Sequence, residues 1–279
     1  MPAEIIDGSQ LAKSIRSQIR RRVKKLDFTP GLAVVQVGDD PASTIYVANK
    51  EKDCKRVNFQ SEVCKMPTNT TQSEIIDRVQ FLNEREDVHG IIVQMPLPTG
   101  VDGQAVIDTI SPEKDADGLS PINLGNLLIN RERVTPCTPT GVIRLIESIG
   151  VEIEGKRAVC LGRSSLVGKP VGLMLLNRNA TVTYCHTRTR NLAEETRNAE
   201  ILVVAAGRPG MVTASMVSEG AVVIDVGISR VNDRAAGDVD YESVSTVAGF
   251  ITPVPGGVGP MTRAMLLENT LKLAVGRWK

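Results

Sequence analysis

Tyr46 and Lys50 stand four residues apart in the segment Pro41-Ala42-Ser43-Thr44-Ile45-Tyr46-Val47-Ala48-Asn49-Lys50, a spacing that puts both side chains on one face of a helix. A lysine amine drawn into a poorly solvated cleft loses its preference for charge and can then take or give a proton near neutrality. Gln94 follows the apolar run Ile91-Ile92-Val93, so it falls at a strand end, where open α/β sheets meet their ligands. Its amide could hold the amine of Lys50, or be no more than a polar strand end. Lys114-Asp115-Ala116-Asp117-Gly118 sets two carboxylates before a glycine. That is a common turn, yet in an apolar cleft one of the two could fix the N–H pair of a heterocycle.

A second group of residues reads as a phosphate site. The strand Ala158-Val159-Cys160-Leu161 runs into Gly162-Arg163-Ser164-Ser165-Leu166-Val167-Gly168 and then a helix. A small-residue turn there lets a phosphate approach backbone N–H groups at the positive end of the helix. Gly162 and Gly168 are six apart and no glycine stands between them, so the turn alone reads equally well as an ordinary strand-to-helix loop. The next strand ends at Cys185-His186-Thr187-Arg188-Thr189-Arg190. NAD-binding units place a carboxylate here for the ribose 2′-hydroxyl, and this chain has none. Two arginines, with Arg163 in the turn, suit a 2′-phosphate instead, which favours NADP over NAD. His186 reads as a strand-end residue satisfied by backbone. Thr252-Pro253-Val254-Pro255-Gly256-Gly257-Val258-Gly259-Pro260-Met261-Thr262 offers little side-chain chemistry; its glycines suit a close approach of backbone to ligand or a stiff turn between domains.

The elements that must position these residues alternate between helix and strand from end to end, which predicts α/β architecture with largely parallel sheets. Ser9 is expected to cap a first helix carrying Leu11, Ile15, Ile19, Val23 and Leu26, with Arg20-Arg21-Arg22, Lys24 and Lys25 on a solvated face. Strands are expected at Gly31–Gly38, near Ser61–Lys65 and at Gly90–Met95, with helices over Pro41–Val57 and after a Thr71/Glu74 capping box. The proline-rich stretch from about Asp115 to Thr140 reads as a crossing segment without sheet structure. A helix from Thr138 follows, then strands at Arg157–Leu161, Ala180–Tyr184, Ile201–Ala205 and Ala221–Val226 with helices between them, a doubly wound nucleotide-binding unit. The last helix spans about Pro260–Val275.

Composition narrows the classes. At 279 residues the chain is long enough for two domains. With 33 basic and 32 acidic side chains its formal charge is +1, against the basic excess of nucleic-acid binders. No apolar run approaches the length of a membrane span, and no signal peptide is visible. Five cysteines, never spaced as CxxC, fit reduced cytoplasmic thiols, and two histidines exclude a multi-histidine metal site. No metal is expected.

Taken in order, Val37–Lys50, Gly90–Pro98, Lys114–Gly118, Pro136-Cys-Thr-Pro-Thr-Gly141, Gly162–Pro170 and Pro253–Thr262 resemble the bifunctional methylenetetrahydrofolate dehydrogenase/methenyltetrahydrofolate cyclohydrolase family over essentially the whole chain. The resemblance implies an N-terminal α/β catalytic domain, residues 1–138, and a Rossmann-type NADP-binding domain, 139–260, with a cleft between them. Residues 261–279 would pack back on the first domain. It implies oxidation of 5,10-methylenetetrahydrofolate with NADP, then hydrolysis of the 5,10-methenyl product to 10-formyltetrahydrofolate. Lys50 would transfer the proton in hydrolysis and Gln94 would adjust its protonation. Tyr46 would stack on or orient the folate and Asp117 would anchor the pterin, with Val93 and Met95 beside them. Gly162, Arg163, Ser164, Thr187 and Ile228 would hold the cofactor, and Pro255, Gly256, Gly257, Val258 and Gly259 would line the cleft. The family forms homodimers; the partners implied are a folate substrate and a second copy, not nucleic acid or membrane.

The chain departs from the family's common residues at Thr187 (serine), Met95 (leucine) and Arg263 (apolar). A short-chain dehydrogenase also uses a Tyr-xxx-Lys pair, but there the glycine turn precedes the pair, and here Tyr46 precedes Gly162. A non-catalytic NADP sensor or scaffold and a dehydrogenase lacking hydrolysis are the remaining alternatives; the joint presence of Tyr46, Lys50, Gln94 and Asp117 speaks against both.

Overall fold

The computed structural model describes residues 2–231 and 234–276. Its first half contains β1 (Glu4–Ile5), α1 (Gly8–Val23), β2 (Gly31–Val37), α2 (Pro41–Val57), β3 (Gln60–Met66), α3 (Gln72–Glu84), β4 (Gly90–Val93), α4 (Gly103–Thr109), α5 (Pro121–Leu128) and α6 (Cys137–Ser148). Then follow β5 (Arg157–Leu161), α7 (Gly168–Leu176), β6 (Thr181–Cys185), α8 (Leu192–Arg197), β7 (Ile201–Val204), β8 (Val222–Asp225), β9 (Ser229–Val231), β10 (Arg234–Ala236), α9 (Tyr241–Val244), β11 (Phe250–Ile251) and α10 (Val258–Gly276). The chain divides into two compact units. Lys13–Cys137 and the chain from Arg263 onward form one; the chain up to Ala12 and Thr138–Thr262 form the other.

In the first of these, three parallel strands lie in the order β3-β2-β4. Every residue of β2 is buried, as a central parallel strand covered on both faces requires. The chain leaves β2 for β3 on one side and returns to β4 on the other. The carboxyl ends of β2 and β4 therefore flank a switch in direction, where ligands bind open α/β sheets. Ile75, Val79 and Leu82, spaced along one face of α3, join Val35, Ile91 and Val93 in the core. Thr71 starts that helix with a reciprocal box: its Oγ1 accepts from the Glu74 amide at 3.3 Å and Glu74 accepts from the Thr71 amide at 2.8 Å. Asp40 Oδ1 accepts the Ser43 amide at 2.7 Å, and Pro41 fits the first turn, which fixes the start of α2. Most of α10 is buried, and Asn269 on it donates to the carbonyls of Ala116 (3.1 Å) and Thr135 (2.8 Å).

The second unit carries a six-stranded parallel sheet in the order β1-β11-β8-β7-β5-β6. Here the direction of winding reverses between β5 and β7. Val159, Leu161, Leu202, Val204, Val223 and Ile251 alternate into its core. The hairpin β9–β10 forms a separate antiparallel pair.

Four local features differ from the expectations. Asp7, not Ser9, caps α1: its Oδ1 accepts the Gln10 amide at 2.9 Å, and Ser9 lies inside the helix. The strand expected to reach Met95 stops at Val93, because Gln94 makes the last ladder-like bond, to Val35 O at 2.8 Å, and Pro96 has no N–H to extend it. The crossing segment contains α5, started by Ser120, whose Oγ accepts from the Asn123 amide, and by Pro121. The two-residue strands β1 and β11 pair across almost the whole chain, a contact no local pattern announces. The basic residues Arg20, Arg21, Arg22, Lys24 and Lys25 are all exposed, as a solvated face should be.

Candidate active site

Helix α2 delivers the reactive amine. Lys50 lies two turns and a half from the Asp40 cap, half-buried, and its Nζ donates to Gln94 Oε1 at 2.9 Å. Gln94 is oriented from both ends: its backbone is bonded to β2, and its Nε2 donates to the Met95 carbonyl at 2.7 Å. That second bond fixes the amide so that its oxygen, not its nitrogen, faces Lys50. Tyr46 sits one turn earlier on α2 and is 37% exposed, which leaves its ring free to meet a ligand. Val93 is buried and Met95 is partly exposed at the same strand end.

The two carboxylates before Gly118 separate cleanly. Asp115 is spent on structure: its oxygens accept from the amides of Gly118 (2.9 Å) and Ser120 (2.7 Å) and from Asn123 Nδ2 (2.9 Å). Lys114 is likewise tied to the carbonyls of Leu82 and Arg85. Asp117 faces Lys50 and Cys137. Burial pushes the Asp117 carboxyl up, an effect opposed by Lys50. Burial also draws the Lys50 amine below its ordinary value; Asp117 works against this shift and Arg263 with it. The Cys137 thiol is pushed well up, first by burial and then by Asp117. Such an amine, partly desolvated, gives up its proton more readily than a solvated lysine does.

The second unit supplies the phosphate cradle at its own winding reversal. Gly162 follows β5 at φ 126°, where a methyl group would run into the Ala205 carbonyl after β7. A methyl on Gly168, at the start of α7, would strike the carbonyl of Gly162. Ser164 Oγ accepts the amides of Val167 (3.2 Å) and Gly168 (3.3 Å), shaping the turn. Arg163 and Ser165 are exposed on it, and Thr187, Arg188 and Arg190 are exposed just beyond β6. Glycines where backbone must be bare, a helix N-terminus and arginines without a carboxylate at the second strand fit a 2′-phosphorylated dinucleotide. His186 is a turn residue: its amide donates to Thr189 Oγ1 and its Nδ1 accepts from the Arg188 amide.

Two buried carboxylates fasten the loops beyond β7 and β8. Asp225 Oδ1 accepts the amides of Gly227 (2.9 Å) and Asp238 (3.0 Å), and its Oδ2 accepts that of Val239 (3.0 Å). Asp238 Oδ2 accepts from Ala206 and Gly207, both at 2.7 Å. Ile228, 57% exposed, follows directly. Burial pushes Asp225 up to about 6 against the pull of its three N–H donors. Residues 254–257 form the turn into α10, whose first residues are Val258 and Gly259; Gly256 has φ 116° and its carbonyl accepts from Ser9 Oγ at 3.3 Å.

Residues 6–117 match the model of the tetrahydrofolate dehydrogenase/cyclohydrolase catalytic domain, and residues 136–277 match that of the NAD(P)-binding domain of the same family. The chain belongs to the tetrahydrofolate dehydrogenase/cyclohydrolase family. It is 52% identical to the bifunctional protein FolD of Moorella thermoacetica, over 98% of this chain and 99% of that protein. The FolD of Halalkalibacterium halodurans is 51% identical over the same shares. Among solved structures, the bifunctional FolD of Campylobacter jejuni superposes with a TM-score of 0.96 at 43% identity, covering 99% of both chains. The Trypanosoma brucei enzyme, complexed with NADP cofactor and an inhibitor, does so with a TM-score of 0.96 at 40% identity, covering 100% of this chain and 99% of that one.

No pattern in the sequence marks a role for Cys137, Asp53 or Asp225. Cys137 falls within Pro136-Cys-Thr-Pro-Thr-Gly141, and only the fold brings it beside Asp117. Asp53 stands three residues after Lys50, so the same helical spacing that singled out Tyr46 also reaches it. Asp225 falls inside the strand expected over Ala221–Val226.

Proposed function

We propose that this chain is an NADP-dependent 5,10-methylenetetrahydrofolate dehydrogenase that also hydrolyses the 5,10-methenyl product to 10-formyltetrahydrofolate. The observation that carries the reading is the Lys50–Gln94 contact at 2.9 Å beside Asp117, in a chain about half identical to bifunctional FolD proteins end to end. Bound NADP supplies a hydride acceptor, so that the methylene carbon loses a hydride and becomes the carbon of a methenyl cation. Gly162, Arg163, Ser164 and Thr187 would hold the phosphates and ribose of the cofactor, and Ile228 would serve its nicotinamide end. Asp117 accepts N–H bonds from the pterin and Tyr46 packs on the folate, so both orient the one-carbon bridge. In hydrolysis Lys50 takes a proton from water as its oxygen adds to the methenyl carbon. The carbon–N5 bond then breaks as N5 takes the proton held by Lys50, the hydroxyl proton leaves to solvent, and the formyl group stays on N10. Gln94 accepts an N–H bond from the amine and so keeps it pointed at the water. Pro255–Gly259 contribute backbone to the bound substrate. The protein acts as a cytoplasmic homodimer in one-carbon metabolism.

The test is to supply the protein with methylenetetrahydrofolate and NADP, then NAD, following reduced cofactor and the methenyl chromophore. Both should form with NADP, and the methenyl signal should then decay. Lys50→Met should slow that decay by about 10²–10⁴, the range for one proton-transfer group. Decay at the normal rate in the variant refutes the role of Lys50.

A further inference from the structure

The loop that leaves β7, residues 205–212, is clasped by residues 237–240. At its far end the clasp is backbone: the Gly210 amide donates to Gly237 O at 3.0 Å, the Val212 amide to Asp238 O at 3.0 Å and the Asp240 amide to Val212 O at 2.8 Å. At its near end the clasp is one side chain. Asp238, which is fully buried, accepts the Ala206 and Gly207 amides on a single oxygen, Oδ2, both at 2.7 Å. Its Oδ1 is buried without a hydrogen-bond partner and packs against Gly227, where a methyl group would run into the carboxylate. A carboxylate oxygen left bare in this way costs stability, so stability alone does not account for an acid here. The clasp is in turn anchored to the end of β8, where Asp225 accepts the Asp238 and Val239 amides.

We propose that Asp238 is a positioning residue for the dinucleotide: by holding the loop after β7 it sets one wall of the crevice that takes the cofactor. This rests on the reading of residues 162–168 as the phosphate cradle. Winding of the sheet reverses between β5 and β7, so a cofactor there meets the loops that follow both strands. Those two loops are in contact. The Ala205 amide donates to Leu161 O at 2.7 Å, and the Ala205 carbonyl lies where a Cβ on Gly162 would have to go. Ala206 and Gly207 continue directly from that contact, so releasing their amides shifts the support under the phosphate turn. The same carboxylate borders Gly227, the residue before Ile228, and thereby spaces the loops after β7 and β8. Being fully buried, Asp238 meets no ligand itself. It acts through backbone, and it therefore bears on any dinucleotide, with or without a 2′-phosphate.

The experiment compares the wild type with Asp238→Ala, which leaves both amides without an acceptor, and with Asp238→Asn, whose amide oxygen can accept from both. NADP and NAD affinities are measured by calorimetric titration, and each protein is melted to show that it is folded at the temperature of the titration. If the freed loop keeps its binding geometry about a tenth of the time, Asp238→Ala should weaken NADP and NAD alike, by roughly tenfold. Asp238→Asn should recover most of that loss for both. Asp238→Ser, which keeps a polar group but has no oxygen long enough to span to the two amides, gives the same reading if the alanine variant does not fold. A folded variant that melts earlier yet binds both dinucleotides as the wild type does has lost only stability, and that result overturns the proposal. Loss confined to NADP overturns it too, because it would mean that the carboxylate serves the 2′-phosphate. A wild type that binds neither dinucleotide overturns the cofactor reading, and the proposal with it.

Discussion

Replacing Asp225 by asparagine isolates the cost of one buried charge. The carboxylate is 3% exposed, and burial raises it from its ordinary 3.8 to about 6 in the folded protein. At about 1.4 kcal/mol per pH unit, the ionised form therefore costs folding about 3 kcal/mol. Because the folded value lies above the unfolded one, folding takes up a proton between about pH 4 and pH 6. The contribution of Asp225 to stability falls as pH rises through that window and is constant above it. Asparagine has no such dependence. Its oxygen can keep the Gly227 and Asp238 amides, but its NH₂ then faces the Val239 amide at a place now spanned by a 3.0 Å bond. Measured against the neutral carboxyl, that loss is one ordinary hydrogen bond, worth about 0.5–1.5 kcal/mol at any pH. Near pH 4.5 about 1 kcal/mol of the ionisation cost is already present and roughly offsets it; near pH 7.5 the cost has reached about 3 kcal/mol and the variant should be the more stable protein. Calorimetric melting of both proteins at the two pH values should therefore show the variant gaining on the wild type by about 2 kcal/mol from acid to neutral pH, or about 4–8 °C at about 2–4 °C per kcal/mol for a chain of this size. A gap that is the same at both pH values would show that burial does not raise Asp225.

Other substitutions separate the two chemistries. Arg163→Ala should weaken NADP by about tenfold to a hundredfold, the worth of a charge-assisted hydrogen bond, while NAD changes little; equal losses by calorimetry would mean that Arg163 does not read the 2′-phosphate. Gly168→Ala drives a methyl against the Gly162 carbonyl and should abolish NADP binding, yet hydrolysis of supplied methenyl-folate should persist; retained cofactor affinity would place the phosphate elsewhere. Asp117→Ala should weaken folate by about 1.5–3 kcal/mol, and unchanged affinity would reduce Asp117 to a turn residue.

The parts of the fold legible in the residues were those with local causes. Helix α2 starts and stops where Asp40-Pro41 and Asn58 require, and α3 begins at its reciprocal cap. The pairing of β1 with β11 and with it the outer edge of the large sheet depends on residues some 245 positions apart, so no window of sequence contains it. Helix α5 did have a signal, Ser120-Pro121, but Ile122 and Leu128 are exposed and give it almost no apolar face. Within the candidate site, helical spacing located Lys50 and Tyr46, and strand-end logic located Gln94. Which of Asp115 and Asp117 was free could not be read, because the answer lies in three hydrogen bonds donated to Asp115. Arg16, Arg56 and Arg263 come to Asp53 from three separate helices, and only folding brings them to one carboxylate.

Both ends of the polypeptide serve the half in which they do not begin. The leading dozen residues add an edge strand to the sheet built from Thr138–Thr262, and the trailing helix completes the core of the half encoded first. Synthesis therefore finishes the interior of Lys13–Cys137 only once α10 has left the ribosome. A cut near residue 138 yields two fragments that each lack a piece of their own interior, so a stable excised half needs its missing terminus spliced back by a linker.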